Sequence, residues 1–243
     1  IIGRGHHEFF GGPHAEVNAI ASVAKNNIHR IDGGTAYVTL EPCSHTGKTG
    51  PCTEALISAG LSRVVVAYQD PNPLVAGLGI QQLRNAGIEV ITDVLSELAQ
   101  ETLAPYLKWT QKQKPWIIAK WAMTLDGKIA TATGDSQWIS NPSSRELVHQ
   151  IRGRVDGVMV GIGTAIADDS MLNARPPGCR EAARIVIDSK ARLSSESQLA
   201  RSAQSHKTII AVGPEADPRN CERLKTLGCE IFYSNLKLAD ERL

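Results

Sequence analysis

Residues 35–67 read TAYVTLEPCSHTGKTGPCTEALISAGLSRVVVA. Thr35–Leu40 is a short β-rich run. Cys52–Ala59 has apolar residues at helical spacing, and Gly60 supplies a stop. Arg63–Ala67 carries Val64-Val65-Val66, the composition of a buried strand. Strand, helix and strand in such short succession argue for an α/β layer structure. Working outward, the same alternation continues. His14–Lys25 is helical in pattern, as is Ala76–Ala86, which Gly87 ends before a strand at Ile88–Ile91. Ser96–Lys114 reads as a charged helix halted by Pro115, after which the pattern restarts. Trp116–Met123, Gly157–Val160, Arg184–Asp188, Thr208–Val212 and Glu230–Tyr233 read as strands. Ser143–Arg152 and Cys221–Leu227 read as helices, the first capped by Asn141 or Ser140 with Pro142 in its first turn. The expected organisation is a first α/β domain over 1–95, a linker helix over 96–114 and a second α/β domain over 115–243.

The 243 residues are 42% hydrophobic and 21% charged, enough apolar material for a core in each half. A formal net charge of +1 gives no electrostatic footprint for duplex DNA or RNA, so no nucleic-acid partner is expected. No apolar run approaches a membrane span and no secretory signal opens the chain, so no membrane partner is expected either. The five cysteines, Cys43, Cys52, Cys179, Cys221 and Cys229, are odd in number and widely spaced. That argues against a disulfide framework and for a reducing, cytoplasmic setting. Ile1–His6 reads as the end of a strand and Leu236–Leu243 as the beginning of a helix, so a fragment cut at both ends is expected.

The sharpest chemical signal is His14-Ala15-Glu16, followed by Pro42-Cys43 and Pro51-Cys52. One imidazole and two thiolates can hold a zinc ion and leave its fourth position for water. Glu16, near the start of the same helix as His14, is the candidate proton shuttle and catalytic residue. Cys52 at a helix start gains thiolate character from the helix dipole. This order of residues is that of the zinc deaminases of nucleobases, in which two residues separate the cysteines. Here eight do, Ser44 to Pro51. Blander readings use the same residues: His45 as a fourth ligand of a structural zinc site, or two buried cysteines beside an incidental helix cap.

Over Glu41–Cys52 the sequence resembles the bifunctional deaminase–reductase family of riboflavin biosynthesis. The resemblance continues through Gln69-Asp70-Pro71-Asn72-Pro73, Val75-Ala76-Gly77, Leu125-Asp126-Gly127-Lys128, Ser136-Gln137-Trp138-Ile139, Ala167-Asp168-Asp169 and Arg184–Ser189. It implies a cytidine-deaminase-like three-layer domain followed by an incomplete dihydrofolate-reductase-like α/β domain. It implies zinc-dependent removal of ammonia from a diaminopyrimidinone carrying ribosylamino 5-phosphate, then NADPH-dependent reduction of the ribosyl group to a ribityl chain. The partner is therefore a small-molecule pyrimidine ribotide, and self-association into a homo-oligomer is expected. The same resemblance puts His7, His45, Lys48, Asp70 and Asn72 at the first substrate pocket. It puts Ser136, Arg152, Leu172 and Arg175 at the second, and Ala122, Trp138, Thr164, Asp168 and Ser189 at NADPH. Lys120 and Asp126 fall near the expected hydride-transfer site. Arg152 and Arg175 suit phosphate, which guanidinium groups grip bidentately. Asp70-Pro71-Asn72-Pro73 is also ordinary turn chemistry, Lys48 could be a solvated loop lysine, and Gly161-x-Gly163-Thr164 alone is a weak phosphate signal. Other readings remain beside this one. A deaminase of cytidine, guanine or tRNA adenosine would leave the second half unused. A zinc-stabilised scaffold would have no need of Glu16. A homologue could also keep one of the two activities.

Overall fold

The computed structural model describes residues 1–178 and 180–234. The helix expected at Leu236–Leu243 lies outside them. The chain divides into two compact units, Ile1–Lys120 and Trp121–Leu243, each considered by itself below.

In the first unit, helix α1 (Ala15–Ala21) and a 3-10 turn (Lys25–Arg30) precede strand β1 (Thr35–Leu40). Helix α2 (Cys52–Ser58), strand β2 (Arg63–Tyr68), helix α3 (Leu78–Asn85), strand β3 (Glu89–Ile91) and helix α4 (Ser96–Lys112) follow. The three strands form one parallel sheet in the order β1-β2-β3. Val64 and Val66 face a core made by Leu56 of α2, Leu83 of α3 and Ile88, with Ile20 of α1 packed against it. Val65 points to the other face, where Leu98 and Ala99 of α4 line a shared groove. A central parallel strand buried on both faces needs this continuous valine run. The result is helices, sheet and helix in three layers.

The helix expected at His14–Lys25 is shorter. Ser22 turns its hydroxyl back on the Ala19 carbonyl at 2.8 Å, and the chain leaves the helix there. The strand end expected at Ile1–His6 is not a strand. Gly3 and Gly5 lie directly on the backbone of α1, where an added Cβ would come within 2.3 Å of the Ala19 and Ala15 carbonyl oxygens. Asn18 secures the segment by donating to the His6 carbonyl at 2.8 Å.

The second unit contains helix α5 (Pro142–Arg152), strand β4 (Gly157–Gly161), helix α6 (Ile162–Asp168) and strand β5 (Ala183–Ile187). Helix α7 (Gln198–Arg201), strand β6 (Thr208–Val212), helix α8 (Pro218–Thr226) and strand β7 (Glu230–Tyr233) complete its described part. Its parallel sheet runs β4-β5-β6-β7. One row across the strands, Val160, Val186, Ile210 and Ile231, meets α6, α7 and α8 through Ile162, Leu199 and Leu224. Asn141 caps α5 by accepting from the Ser144 N–H. Asp217 caps α8, with Pro218 in the first turn, which starts this helix earlier than the apolar spacing predicts.

The strand expected at Trp116–Met123 does not form. Its residues have strand-like composition but join neither ladder. A strand is a property of a pair, and composition cannot supply the neighbour.

Candidate functional site

Three elements of the first unit deliver the candidate metal ligands. His14 is the extended residue that opens α1, Cys43 follows the end of β1, and Cys52 is the first residue of α2. His14 Nδ1 lies 3.5 Å from Cys43 Sγ and 3.2 Å from Cys52 Sγ. All three donor atoms fall within 4.8 Å of one another. Tetrahedral zinc with ordinary Zn–N and Zn–S bonds separates such donors by about 3.6 Å, so the trio fits this ion. The donor set also suits it, one imidazole and two sulfurs.

The surroundings favour thiolate at Cys43 and not, as the helix start predicts, at Cys52, where burial and the bond to Cys43 outweigh the helix dipole. The Cys52 peptide N–H points at Cys43 Sγ from 3.4 Å. Hydrogen bonding from Cys52 is the largest influence on the Cys43 thiol, which is held down at about 5, with His14 also acting in that direction. Cys52 is pushed the other way, upward, first by its hydrogen bond to Cys43 and then by burial. Thr53 locks the arrangement, its N–H on the Cys43 carbonyl at 3.2 Å and its hydroxyl on Gln82 Oε1 at 2.7 Å.

Glu16 sits in the first turn of α1, outside the ligand trio but against Cys52. Burial raises its carboxyl above the ordinary value, and hydrogen bonds from its own backbone and from Cys52 oppose that rise. A partly desolvated carboxyl beside an open metal position is suited to carrying a proton. His45 is exposed in the loop and is not part of the ligand cluster, which removes the four-ligand structural reading from the described residues.

The other residues singled out around this pocket divide. The His7 ring meets His14 edge to face at 5.5 Å. Lys48 is exposed with its ammonium 3.9 Å above the Phe10 ring. Asp70 is buried and its carboxylate is already engaged, accepting the Asn72 N–H at 2.8 Å and the Tyr106 hydroxyl at 2.8 and 3.0 Å. Asn72 Oδ1 accepts the Leu74 N–H. The turn chemistry of this stretch is thus real. Sequence reasoning missed Glu41 and Tyr106. Glu41 is buried and accepts the N–H groups of Gly77, Gly79 and Ile80 at 2.9, 3.0 and 3.2 Å, pinning the start of α3. Its only sequence signal is an acidic residue wedged between a strand end and Pro42-Cys43. Tyr106, reaching from α4, is pushed up to about 12 by burial and by the Asp70 carboxylate.

In the second unit, Thr164 and Ser189 follow the carboxyl ends of the adjacent parallel strands β4 and β5. Strand β4 passes directly into α6, and an added Cβ at Gly161 or Gly163 would meet nothing within 4 Å, so the start of α6 is open beside both glycines. Asp168 closes α6 one helical turn beyond Thr164. Trp138 is exposed with the Arg145 guanidinium 4.5 Å over its ring. Ser136 and Ala122 lie in irregular segments, and Asp126 sits in an exposed turn, where its carboxylate accepts the Thr124 hydroxyl. Lys120 is the last residue of the first unit. The Leu172 side chain is buried in the core, which leaves its backbone as the part that can meet a ligand. Arg152, at the last turn of α5, is lowered first by burial and then by the charge of Arg175.

The fold and the ligand trio together define an α/β protein whose first unit bears a zinc centre of the hydrolytic deaminase kind. Comparisons with known proteins agree. Residues 1–68 match the family described as the cytidine and deoxycytidylate deaminase zinc-binding region. Residues 115–241, just over half of the chain, match the RibD C-terminal domain. The chain belongs to the RibD family. It is 42% identical over 232 residues to the riboflavin biosynthesis protein RibD of Actinobacillus pleuropneumoniae, covering 96% of this chain and 60% of that protein. It is 40% identical over 233 residues to the protein of the same name from Aquifex aeolicus, covering 96% and 64%. The solved structure of Acinetobacter baumannii RibD superposes with a TM-score of 0.79 at 37% identity, over 97% of this chain and 65% of that one. The diaminohydroxyphosphoribosylaminopyrimidine deaminase/5-amino-6-(5-phosphoribosylamino)uracil reductase of Thermotoga maritima superposes with a TM-score of 0.79 at 36% identity, over 97% and 64%. The chain thus spans about three fifths of the length of the curated relatives it matches. No helix among the described residues is long and apolar enough to cross a membrane.

Proposed function

We propose that this chain carries two activities of riboflavin biosynthesis: hydrolytic deamination of a diaminopyrimidinone ribotide, then NADPH-dependent reduction of its ribosyl group to ribityl. The observation that carries the reading is the convergence of His14, Cys43 and Cys52, with Glu16 beside them but outside the trio. Three ligands, an open fourth position and a carboxylate that is not a ligand are what hydrolytic deamination requires.

When bound, zinc supplies the Lewis acidity that makes water a nucleophile near neutral pH. Glu16 would take a proton from the attacking water as its oxygen adds to the amino-bearing ring carbon, and would return that proton to the departing ammonia. The C–N bond breaks, the remaining hydroxyl proton passes to the adjacent ring nitrogen, and a carbonyl takes the place of the amine. His7, His45, Lys48, Asp70 and Asn72 are assigned to the substrate around this centre, with Lys48 as a point charge for the phosphate.

In the second unit Thr164, Asp168, Ser189, Trp138 and Ala122 are assigned to NADPH. Support comes from the open space beside Gly161 and Gly163 at the start of α6 and from the carboxyl ends of neighbouring parallel strands, the usual ligand edge of an open α/β sheet. The cofactor supplies the hydride, and these residues orient it. Ser136, Arg152, Leu172 and Arg175 are assigned to the ribotide, and Lys120 and Asp126 to the neighbourhood of hydride transfer. Self-association as a homo-oligomer and a cytoplasmic setting belong to the same proposal.

Ammonia release from the diaminopyrimidinone ribotide tests the first half. The Glu16→Gln variant, with zinc retained, is expected to fall by about 10²–10⁴-fold, the usual contribution of a positioned acid–base group. Near wild-type turnover in that variant would contradict the assignment.

A further inference from the structure

The last turn of α5 and the loop that follows α6 are locked together by backbone as much as by side chains. Gly153 and Gly178 cross so closely that a Cβ on Gly153 would lie 2.7 Å from the Gly178 Cα. The Arg180 N–H bonds the Gly153 carbonyl at 2.9 Å. Within this crossing, the Arg175 peptide N–H donates to His149 Nδ1 at 3.2 Å. His149 and Arg152, three positions apart on α5, share one helix face. Asn173 contributes a buried Oδ1 that has no hydrogen-bond partner among the described residues. With its amide turned over, that side chain would offer N–H donors at the same place.

We propose that His149 is a positioning residue of a phosphate site made by Arg152 and Arg175: its neutral Nδ1 holds the Arg175 peptide, and so the Arg175 guanidinium, against α5. The proposal rests on the assignment of Arg152 and Arg175 to the ribotide. The surroundings keep the imidazole in the form this needs. Burial lowers its pKa from the ordinary histidine value, and the charges of Arg152 on its own helix and Arg175 on the facing loop lower it further, against a smaller opposing bond to the Asn173 backbone. Nδ1 accepts only while it carries no proton, so the anchor is present above the His149 pKa and is lost as pH falls through it. The neutral ring carries its proton on Nε2.

Sulfate, a dianion throughout the range used, is the probe, with affinity read by calorimetry on the whole chain at pH 7.5 and the Arg175 amide followed by nitrogen–proton NMR. His149→Ala is expected to weaken sulfate binding about 2- to 10-fold, the worth of one hydrogen bond. His149→Asn, whose Oδ1 can stand where Nδ1 stood, is expected to restore it. In the wild-type chain the Arg175 amide resonance is expected to move with the His149 titration. Unchanged binding in His149→Ala, failure of His149→Asn to restore it, or an Arg175 amide blind to that titration would each overturn the role of His149. Arg152→Ala and Arg175→Ala separate this from the parent reading. If both bind sulfate like wild type, the phosphate assignment itself falls and takes the proposal with it.

Discussion

Glu41 has both carboxylate oxygens occupied by peptide N–H groups, from Asp70 and Gly77 on one and from Gly79 and Ile80 on the other. It ties the segment before Cys43 to the Asp70 turn and to the start of α3. Removing it strands buried donors, each of which costs about 1–3 kcal/mol when left unmade. Glu41→Ala is therefore expected to lose roughly 3 kcal/mol or more, read as a lower urea midpoint at unchanged slope. Wild-type stability in that variant would mean water replaces the carboxylate without loss. Glu41 also shows what the sequence hides. His14 with Glu16, and Cys43 and Cys52 each after a proline, are local patterns that the residue order displays directly. The partners of Glu41 lie 29 to 39 positions away, and Tyr106 meets Asp70 across 36. No spacing rule reaches that far, because only the folded sheet brings those positions together.

At the scale of elements, the strands Thr35–Leu40, Thr208–Val212 and Glu230–Tyr233 have the limits that their composition predicts. Each is β-branched or aromatic, is bounded by turn residues and has a neighbour on the sheet. Trp116–Met123 has the composition without the neighbour and stays irregular. The opening segment fails in the opposite way: Gly3 and Gly5 look like strand-end punctuation, but their purpose is close approach to α1. A methyl group at Gly5 would meet the Ala15 carbonyl and the Ala19 nitrogen at 2.3 Å, in rigid helix backbone. Gly5→Ala is expected to cost about 1–3 kcal/mol by overpacking, and to shift the start of α1, where His14 and Glu16 sit. Thermal melting with and without zinc checks it. An unchanged melting temperature would show that the segment is held to α1 only loosely.

On the scale of the molecule, the two units each bury their own core around their own parallel sheet. The division into two α/β halves is legible from the alternation of short strands and helices. The layering is legible in part, since three successive valines demand burial on both faces of β2. The cofactor and ribotide assignments of the second unit were carried by resemblance, because single side chains such as Ser136 or Ala122 bear no chemical signature of their own. The zinc centre is different, since its chemistry and its geometry coincide in the same residues, and it supports the largest part of the functional reading. Zinc per chain, by elemental analysis of the purified protein beside its Cys43→Ser variant, tests that centre most directly. About one zinc per chain, lost in the variant, is the expected result for a three-ligand site. A folded wild-type chain without zinc, or a Cys43→Ser variant that keeps it, would contradict the account.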